Sequence, residues 1–203
     1  MTKSKNLKIT LLCLALTELF IPAKSYAYVL LGAGLNIDKP TDSSSAAAYG
    51  SQGGIGFGAM IGLNLLPVID LELGLWDLKR SFFTGNYTET SSWFQVPVLA
   101  RLWIPFVGLG VGAGLYGAKA TGNIHIDSPN YTSDVTFDQA QLKSTDIGFI
   151  LSVIWSPPII PLAFVEGRYT QSLTSNDTTG GSFKYTDMLV AVGLKFGMLG
   201  GGK

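Results

Sequence analysis

The twelve residues Phe106-Val107-Gly108-Leu109-Gly110-Val111-Gly112-Ala113-Gly114-Leu115-Tyr116-Gly117 decide the fold. Within them Val107, Leu109, Val111, Ala113 and Leu115 alternate with Gly108, Gly110, Gly112, Gly114 and Tyr116. A period of two sends successive side chains to opposite faces, so the stretch reads as a strand with one apolar and one nearly bare face. The G-x-G-x-G spacing also invites a nucleotide-loop reading. A phosphate-cradling loop needs a strand followed by a helix, whereas this run is itself the strand. Its glycines are better explained as room for bulky neighbours such as Tyr116, Met60 or Arg101.

The same alternation recurs along the chain and predicts eight strands: 28–36, 54–65, 69–79, 93–104, 106–117, 145–155, 162–173 and 185–197. The second sets Ile55, Phe57, Ala59, Ile61 and Leu63 against Gly56, Gly58, Met60, Gly62 and Asn64. The third sets Leu71, Leu73 and Leu75 against Asp70, Glu72 and Gly74. Each is roughly 9 to 13 residues long, which suits a tilted strand crossing a hydrocarbon core. No stretch after residue 27 is apolar for long enough to make a spanning helix.

The connections alternate between short and long. Leu66-Pro67-Val68, Pro105 and residues 156–161 are short, while 37–53, 80–92, 118–144 and 172–184 are long and polar. In an even-stranded up-and-down barrel every second connection emerges on one side, and outer-membrane barrels put tight turns on the periplasmic side and long loops outside. A soluble ligand-binding barrel has less reason to segregate its loops, and it needs many more charges on its outer face. The expected fold is therefore all-β, an eight-stranded antiparallel up-and-down transmembrane β-barrel.

Of 203 residues 47% are hydrophobic and 14% charged, consistent with one domain. Residues 1–27 have a basic start (Lys3, Lys5, Lys8), an apolar stretch from Ile9 to Ile21 and a small-residue exit at Ser25-Tyr26-Ala27, which predicts a signal peptide cleaved near Ala27. The barrel is then assigned to 28–197 and a short C-terminal tail to 198–203. Cys13, the only cysteine, would leave with the leader, so neither disulfides nor cysteine-ligated metals hold the mature chain. Four of the 14 basic and one of the 14 acidic residues precede residue 28, leaving 10 basic against 13 acidic. That balance argues against a nucleic-acid partner, which requires a clustered basic surface.

In Gly108-Leu109-Gly110-Val111-Gly112-Ala113-Gly114 and Phe164-Val165-Glu166-Gly167-Arg168-Tyr169 the sequence resembles the glycine-rich and "E-x-R-Y" strands of the outer-membrane β-barrel domain family, the OmpA-like and OmpX-like small barrels. The resemblance spans roughly Tyr28 to Phe196. It implies insertion into a bacterial outer membrane, with membrane lipid as surroundings. Family members usually end on an aromatic residue; Phe196 matches in type, but seven residues follow it.

The inward parity of the predicted strands carries Asp70, Glu72, Arg101, Glu166, Arg168 and Lys195. An eight-stranded barrel is just wide enough for side chains to fill, so opposite charges there are expected to pair as a plug. A narrow polar pathway is the functional alternative. His125, the only histidine, stands in the 118–144 loop with Asp127, Ser128 and Asp134 nearby, and resembles in type the surface His of a lipid A deacylase. Nucleophilic catalysis needs an oriented base with a third group behind it, and a polar loop histidine is commonplace. No second His or Cys in the mature chain could complete a zinc site. Trp76, Trp93, Trp103, Trp155, Phe82, Phe83 and Tyr169 divide between an interfacial girdle and lumen packing. Asn-x-Thr triplets at Asn86, Asn130 and Asn176 fall in predicted outer loops.

The expected function is a structural or surface-interaction role in the envelope, without catalysis or cofactor, with loops 37–53, 80–92, 118–144 and 172–184 available to an extracellular partner. A narrow porin-like channel and a barrel-embedded lipid-modifying enzyme are the alternatives.

Overall fold

A computed structural model describes residues 27–40, 49–104 and 106–198. The leader up to residue 26 with Cys13, residues 41–48 of the first long connection, Pro105 and tail residues 199–203 lie outside the described residues. Ten strands form: β1 (Ala27–Asp38), β2 (Tyr49–Leu66), β3 (Ile69–Thr84), β4 (Tyr87–Ile104), β5 (Leu109–Ala120), β6 (Ile124–Ser128), β7 (Tyr131–Val135), β8 (Thr145–Trp155), β9 (Ala163–Ser172) and β10 (Thr186–Met198).

Eight of them close into a ring in the order β3-β2-β1-β10-β9-β8-β5-β4, with β4 returning to β3. Every neighbouring pair is antiparallel. The predicted eight-stranded up-and-down barrel is therefore the observed one. Closure pairs the backbone of each barrel strand on both sides, the condition for placing strands in lipid. At one rim lie the short connections β2–β3, β4–β5 and β8–β9, and Ala27 stands there opposite Met198.

Several boundaries differ from expectation. Residues 80–92 are not a loop: β3 runs on to Thr84, β4 starts at Tyr87, and the two stay paired up to Thr84 opposite Tyr87. Gly85, with φ at +63°, turns this hairpin. The 118–144 connection contains the β6–β7 hairpin, whose β6 pairs with Thr88, Glu89 and Thr90 of β4. Polar Ser and Thr side chains read as loop, yet backbone pairing extends the sheet beyond the barrel wall irrespective of side-chain polarity. The fifth strand begins at Leu109, because Phe106 to Gly108 form the preceding turn, with Phe106 at φ +69° and Gly108 at φ +68°. A Cβ on Gly108 would sit 2.0 Å from the Ser156 carbonyl oxygen, so that turn needs glycine both for its backbone angle and for its contact.

The alternation maps onto two environments. The outward set is exposed along the strands, and Leu35, Ile55, Phe57, Leu73, Leu115, Ile147 and Val192 are each more than half exposed. Such an uninterrupted apolar exterior matches the lipid-facing band of a transmembrane barrel. The inward set is buried, and includes Leu30, Met60, Trp76, Leu99, Ile150 and Leu189. The aromatic residues divide in the same way. Trp76, Trp93 and Phe82 are buried inside, while Trp155 and Phe83 face outward.

Candidate functional site

The lumen holds two layers of paired charge. The lower layer, towards the short-turn rim, contains all six residues singled out by inward parity. Arg101 on β4 grips Glu72 on β3 in a two-pronged contact, Nε to Oε1 at 2.7 Å and Nη2 to Oε2 at 2.6 Å. The same Nη2 donates to Glu166 Oε1 across the barrel at 2.8 Å, and Arg168 Nη2 donates to Glu166 Oε2 at 2.7 Å. All four side chains are essentially inaccessible to solvent. Planar guanidinium groups suit this work, because one fork can serve two carboxylates at once.

Asp70 joins through neutral partners. The Tyr28 hydroxyl lies 2.8 Å from Asp70 Oδ2 and 2.5 Å from Glu72 Oε1, and Trp103 Nε1 donates to Asp70 Oδ2 at 2.5 Å. The Asn64 amide also donates to Asp70. Tyr28 reaches this position because residue 62 is glycine: a Cβ there would come within 2.1 Å of Tyr28 Cζ. Lys195 joins through aromatic faces, its ammonium 4.5 Å from the Tyr28 ring centre and 4.2 Å from that of Trp103. Arg168 likewise stacks on Trp76 at 4.4 Å.

The upper layer was missed by the sequence reading. Arg80 Nη2 lies 2.8 Å from Asp187 Oδ2 and 3.0 Å from Asp146 Oδ2, and its Nε donates to Asp187 Oδ2 at 3.1 Å. The guanidinium lies 4.6 Å from the Trp93 ring centre and 4.3 Å from that of Tyr185, two rings that themselves pack edge-on. Asp38, also buried, accepts the Ser81 backbone N–H at 2.8 Å and the Asn36 amide at 2.6 Å. Tyr116 and Asn176 donate to Asp146, and Thr170 to Asp187. Two carboxylates thus contact one guanidinium, with the Asp38 side chain buried beside them. The available signal was parity: Arg80 continues the series Asp70, Glu72, Gly74, Trp76, Leu78 on one face of β3. Assigning residue 80 to a loop hid it.

Trp76, Leu99, Ile150 and Leu189 lie along the strands between the two layers. The neighbours expected to need the glycine run find space mainly elsewhere. Arg101 does lie over Gly110, but Met60 packs at Gly74 and Tyr116 at Gly148.

Outside the lumen, His125 Nδ1 lies 2.8 Å from Asp134 Oδ1 on the β6–β7 hairpin, where both are about half exposed or more. Asn86 and Asn130 sit in exposed turns, whereas Asn176 is buried against Asp146 and so cannot present its amide to solvent. Among the described residues no group of three or more His, Cys, Asp or Glu side chains is arranged to hold a metal.

No protein-family model matches this sequence, and no curated protein matches it. Solved structures do. The Neisserial surface protein NspA aligns at 14% identity over 84% of this chain and 97% of its own, with a TM-score of 0.52. The attachment invasion locus protein Ail of Yersinia pestis, solved with the heparin analogue sucrose octasulfate, aligns at 9% identity over 84% of this chain and 99% of its own, with a TM-score of 0.51. At such identities the likeness concerns the fold, and it covers nearly the whole of both relatives. With its closed ring, outward apolar band and filled lumen, this chain has the fold of the small eight-stranded outer-membrane β-barrels.

Proposed function

We propose that the protein is a structural and surface-interaction barrel of the bacterial outer membrane, its lumen closed by side chains rather than open to solutes. The observation that carries this reading is the lower charge layer, in which Arg101 binds Glu72 and Glu166 from different walls with all three side chains inaccessible to solvent. A continuous aqueous path would have to break those ion pairs. Separating a desolvated guanidinium from two carboxylates is costly, because each charge would be left without its partner. The extended β3–β4 and β6–β7 hairpins then supply a rigid surface beyond the bilayer for contact with other molecules.

A narrow channel is the second reading, and one observation favours it. Arg101 Nη1, Arg168 Nε and Nη1, Gln95 Nε2 and Ser152 Oγ are buried in the lumen without a protein partner. Buried polar atoms of this kind are places where water fits.

Two measurements on the expressed precursor separate these readings. Membrane fractions run unheated and heated on a gel should show an outer-membrane protein whose mobility changes on heating. A soluble periplasmic product without that shift would remove the membrane reading. Planar-bilayer recordings should then show no single-channel steps, and steps that vanish or change size on replacing Arg101 or Glu72 would favour the channel.

A further inference from the structure

In the upper layer two acids stand directly opposite each other. Asp38 ends β1, Asp187 follows the first residue of β10, and the two are register partners. The next pair outward, Lys39 and Thr186, exchanges both backbone hydrogen bonds: the Lys39 N–H donates to the Thr186 carbonyl at 2.8 Å, and the Thr186 N–H to the Lys39 carbonyl at 3.2 Å. Bonded and non-bonded pairs alternate along an antiparallel ladder. Asp38 and Asp187 are therefore a non-hydrogen-bonded pair, the kind whose Cα atoms lie about 4.5 Å apart and whose side chains approach most closely. Both residues are buried in the lumen, 0% and 2% exposed, and their carboxyl groups are in hydrogen-bond contact.

The two acids differ in their other partners. Asp187 Oδ2 takes both Arg80 bonds and the Thr170 hydroxyl, which leaves Asp187 Oδ1 as a buried acceptor without a donor. Asp38 accepts the Ser81 N–H and the Asn36 amide, both uncharged donors. The remaining ladder neighbours, Gln52 on β2 beside Asp38 and Thr170 on β9 beside Asp187, are uncharged as well.

The layer is short of positive charge. Arg80 is already shared between Asp146 and Asp187. Tyr116 and Tyr185 also face Arg80 and bring no cation, and Glu89 of β4, within electrostatic reach of Tyr185, is acidic. Lys39 and Lys79 are exposed, and Lys184 is half-buried ahead of β10. Ionising Asp38, Asp146 and Asp187 together would set three negative charges against one guanidinium in a site closed to water. Like charges directly opposite on a ladder are destabilising, and two carboxyl groups that share a buried site do not both ionise.

We propose that Asp38 and Asp187 hold one proton between them, which makes the outer end of the β1–β10 seam a pH-sensitive latch. The proton lies between the facing oxygens and supplies the hydrogen bond that Asp187 Oδ1 otherwise lacks. An unfolded aspartate ionises near pH 4, so above that pH the folded chain holds a proton that the unfolded chain has released. The latch is fully closed in acid and weakens as pH rises through the titration of the pair, because its loss leaves two anions at the closest approach in the ladder. The proposal goes beyond the structural role and stands independently of it, since a closed barrel needs no titrating seam.

The test is urea unfolding of the barrel in non-ionic, ester-free micelles at constant ionic strength, with wild type and Asp38→Asn in parallel. The ratio of the wild-type folding constant to that of Asp38→Asn should fall about tenfold per pH unit between about pH 5 and pH 7, the slope of one proton. Asp187→Asn should show the same loss of slope together with lower stability, because it also gives up its ion pair with Arg80, and it replaces Asp38→Asn if the latter does not fold. Heat-dependent gel mobility verifies folding. Infrared spectra at neutral pH should contain the carbonyl stretch of a protonated carboxylic acid in wild type, lost in Asp38→Asn. A ratio that does not change with pH, or an acid band that Asp38→Asn leaves in place, would overturn the proposal. Wild-type stability that follows added K⁺ or Ca²⁺ instead of pH would also overturn it, since a bound cation would then offset the two carboxylates. None of these outcomes bears on membrane location or conductance, which are measured separately.

Discussion

Arg80 and Asp187 lie 107 positions apart in the chain, yet the Arg80 Nη2 and Asp187 Oδ2 atoms are 2.8 Å apart inside the outer half of the lumen. β3 brings the arginine and β10 the aspartate, from separate parts of the barrel wall. The contact is surrounded by Trp93 and Tyr185 and excluded from solvent. It ties the extended part of the sheet to the closing strand.

Removing the cation from this layer should be more harmful than removing one anion. Arg80→Met leaves Asp146 and Asp187 buried with no positive partner, and the expected loss is about 3–5 kcal/mol of stability. Asp146→Asn keeps an uncharged hydrogen-bonding group near Arg80 and leaves Asp187 in place, so a smaller loss is expected. Equilibrium urea unfolding of both variants in micelles measures the difference, and equal losses would show that Arg80 is not the hub.

In the lower layer Arg101 and Glu72 should behave as a unit. Arg101→Met and Glu72→Gln each strand a charge, whereas the double variant removes both members of the two-pronged pair. The double variant should therefore be less destabilised than the sum of the singles by about 0.5–3 kcal/mol. Additive losses in the same unfolding assay would mean that the pair contributes little coupling.

Gly62 is expected to be intolerant of even one methyl group. Alanine there meets the Tyr28 ring, 2.1 Å from Cζ, and forces it away from Asp70 and Glu72. A destabilisation of about 1–3 kcal/mol is expected for Gly62→Ala. Most of it should disappear in a Tyr28→Leu background, where the ring is absent. A loss independent of residue 28 would point to the strand backbone instead.

The outward face gives the sharpest test of the surrounding medium. Leu115 is 58% exposed on the middle of β5. In a bilayer Leu115→Arg should cost about 2–4 kcal/mol at the membrane midplane, and less nearer the interface. Refolding into lipid vesicles across a denaturant series reads this directly. If the substitution is neutral or stabilising, the apolar band does not face lipid.

Both the strands and their facing were legible in the sequence, because the two-residue period is a local property of extended backbone. The run from Val107 to Leu115 identifies its own inward and outward faces without knowledge of any neighbour. The same parity placed Asp70, Glu72, Arg101, Glu166, Arg168 and Lys195 on the inner wall. It could not state that Arg101 would bridge Glu72 and Glu166 while Lys195 would rest on Tyr28 and Trp103. Those choices depend on strand register and on which walls meet across the lumen, properties of the closed ring rather than of any one segment.

The sequence by itself determined an all-β chain with an apolar exterior, short and long connections in alternation, and a charged interior. Only the tertiary structure decided where pairing stops. Residues 80–92 look like a loop because Ser, Thr and Glu blur the apolar contrast, yet their backbone groups continue the ladder between β3 and β4. That continuation carries Arg80 into the barrel and lets β6 pair with the outer part of β4. Local composition reports which side chains seek lipid or water. Long-range backbone hydrogen bonding decides how far the sheet extends, and therefore which charges stand at its mouth.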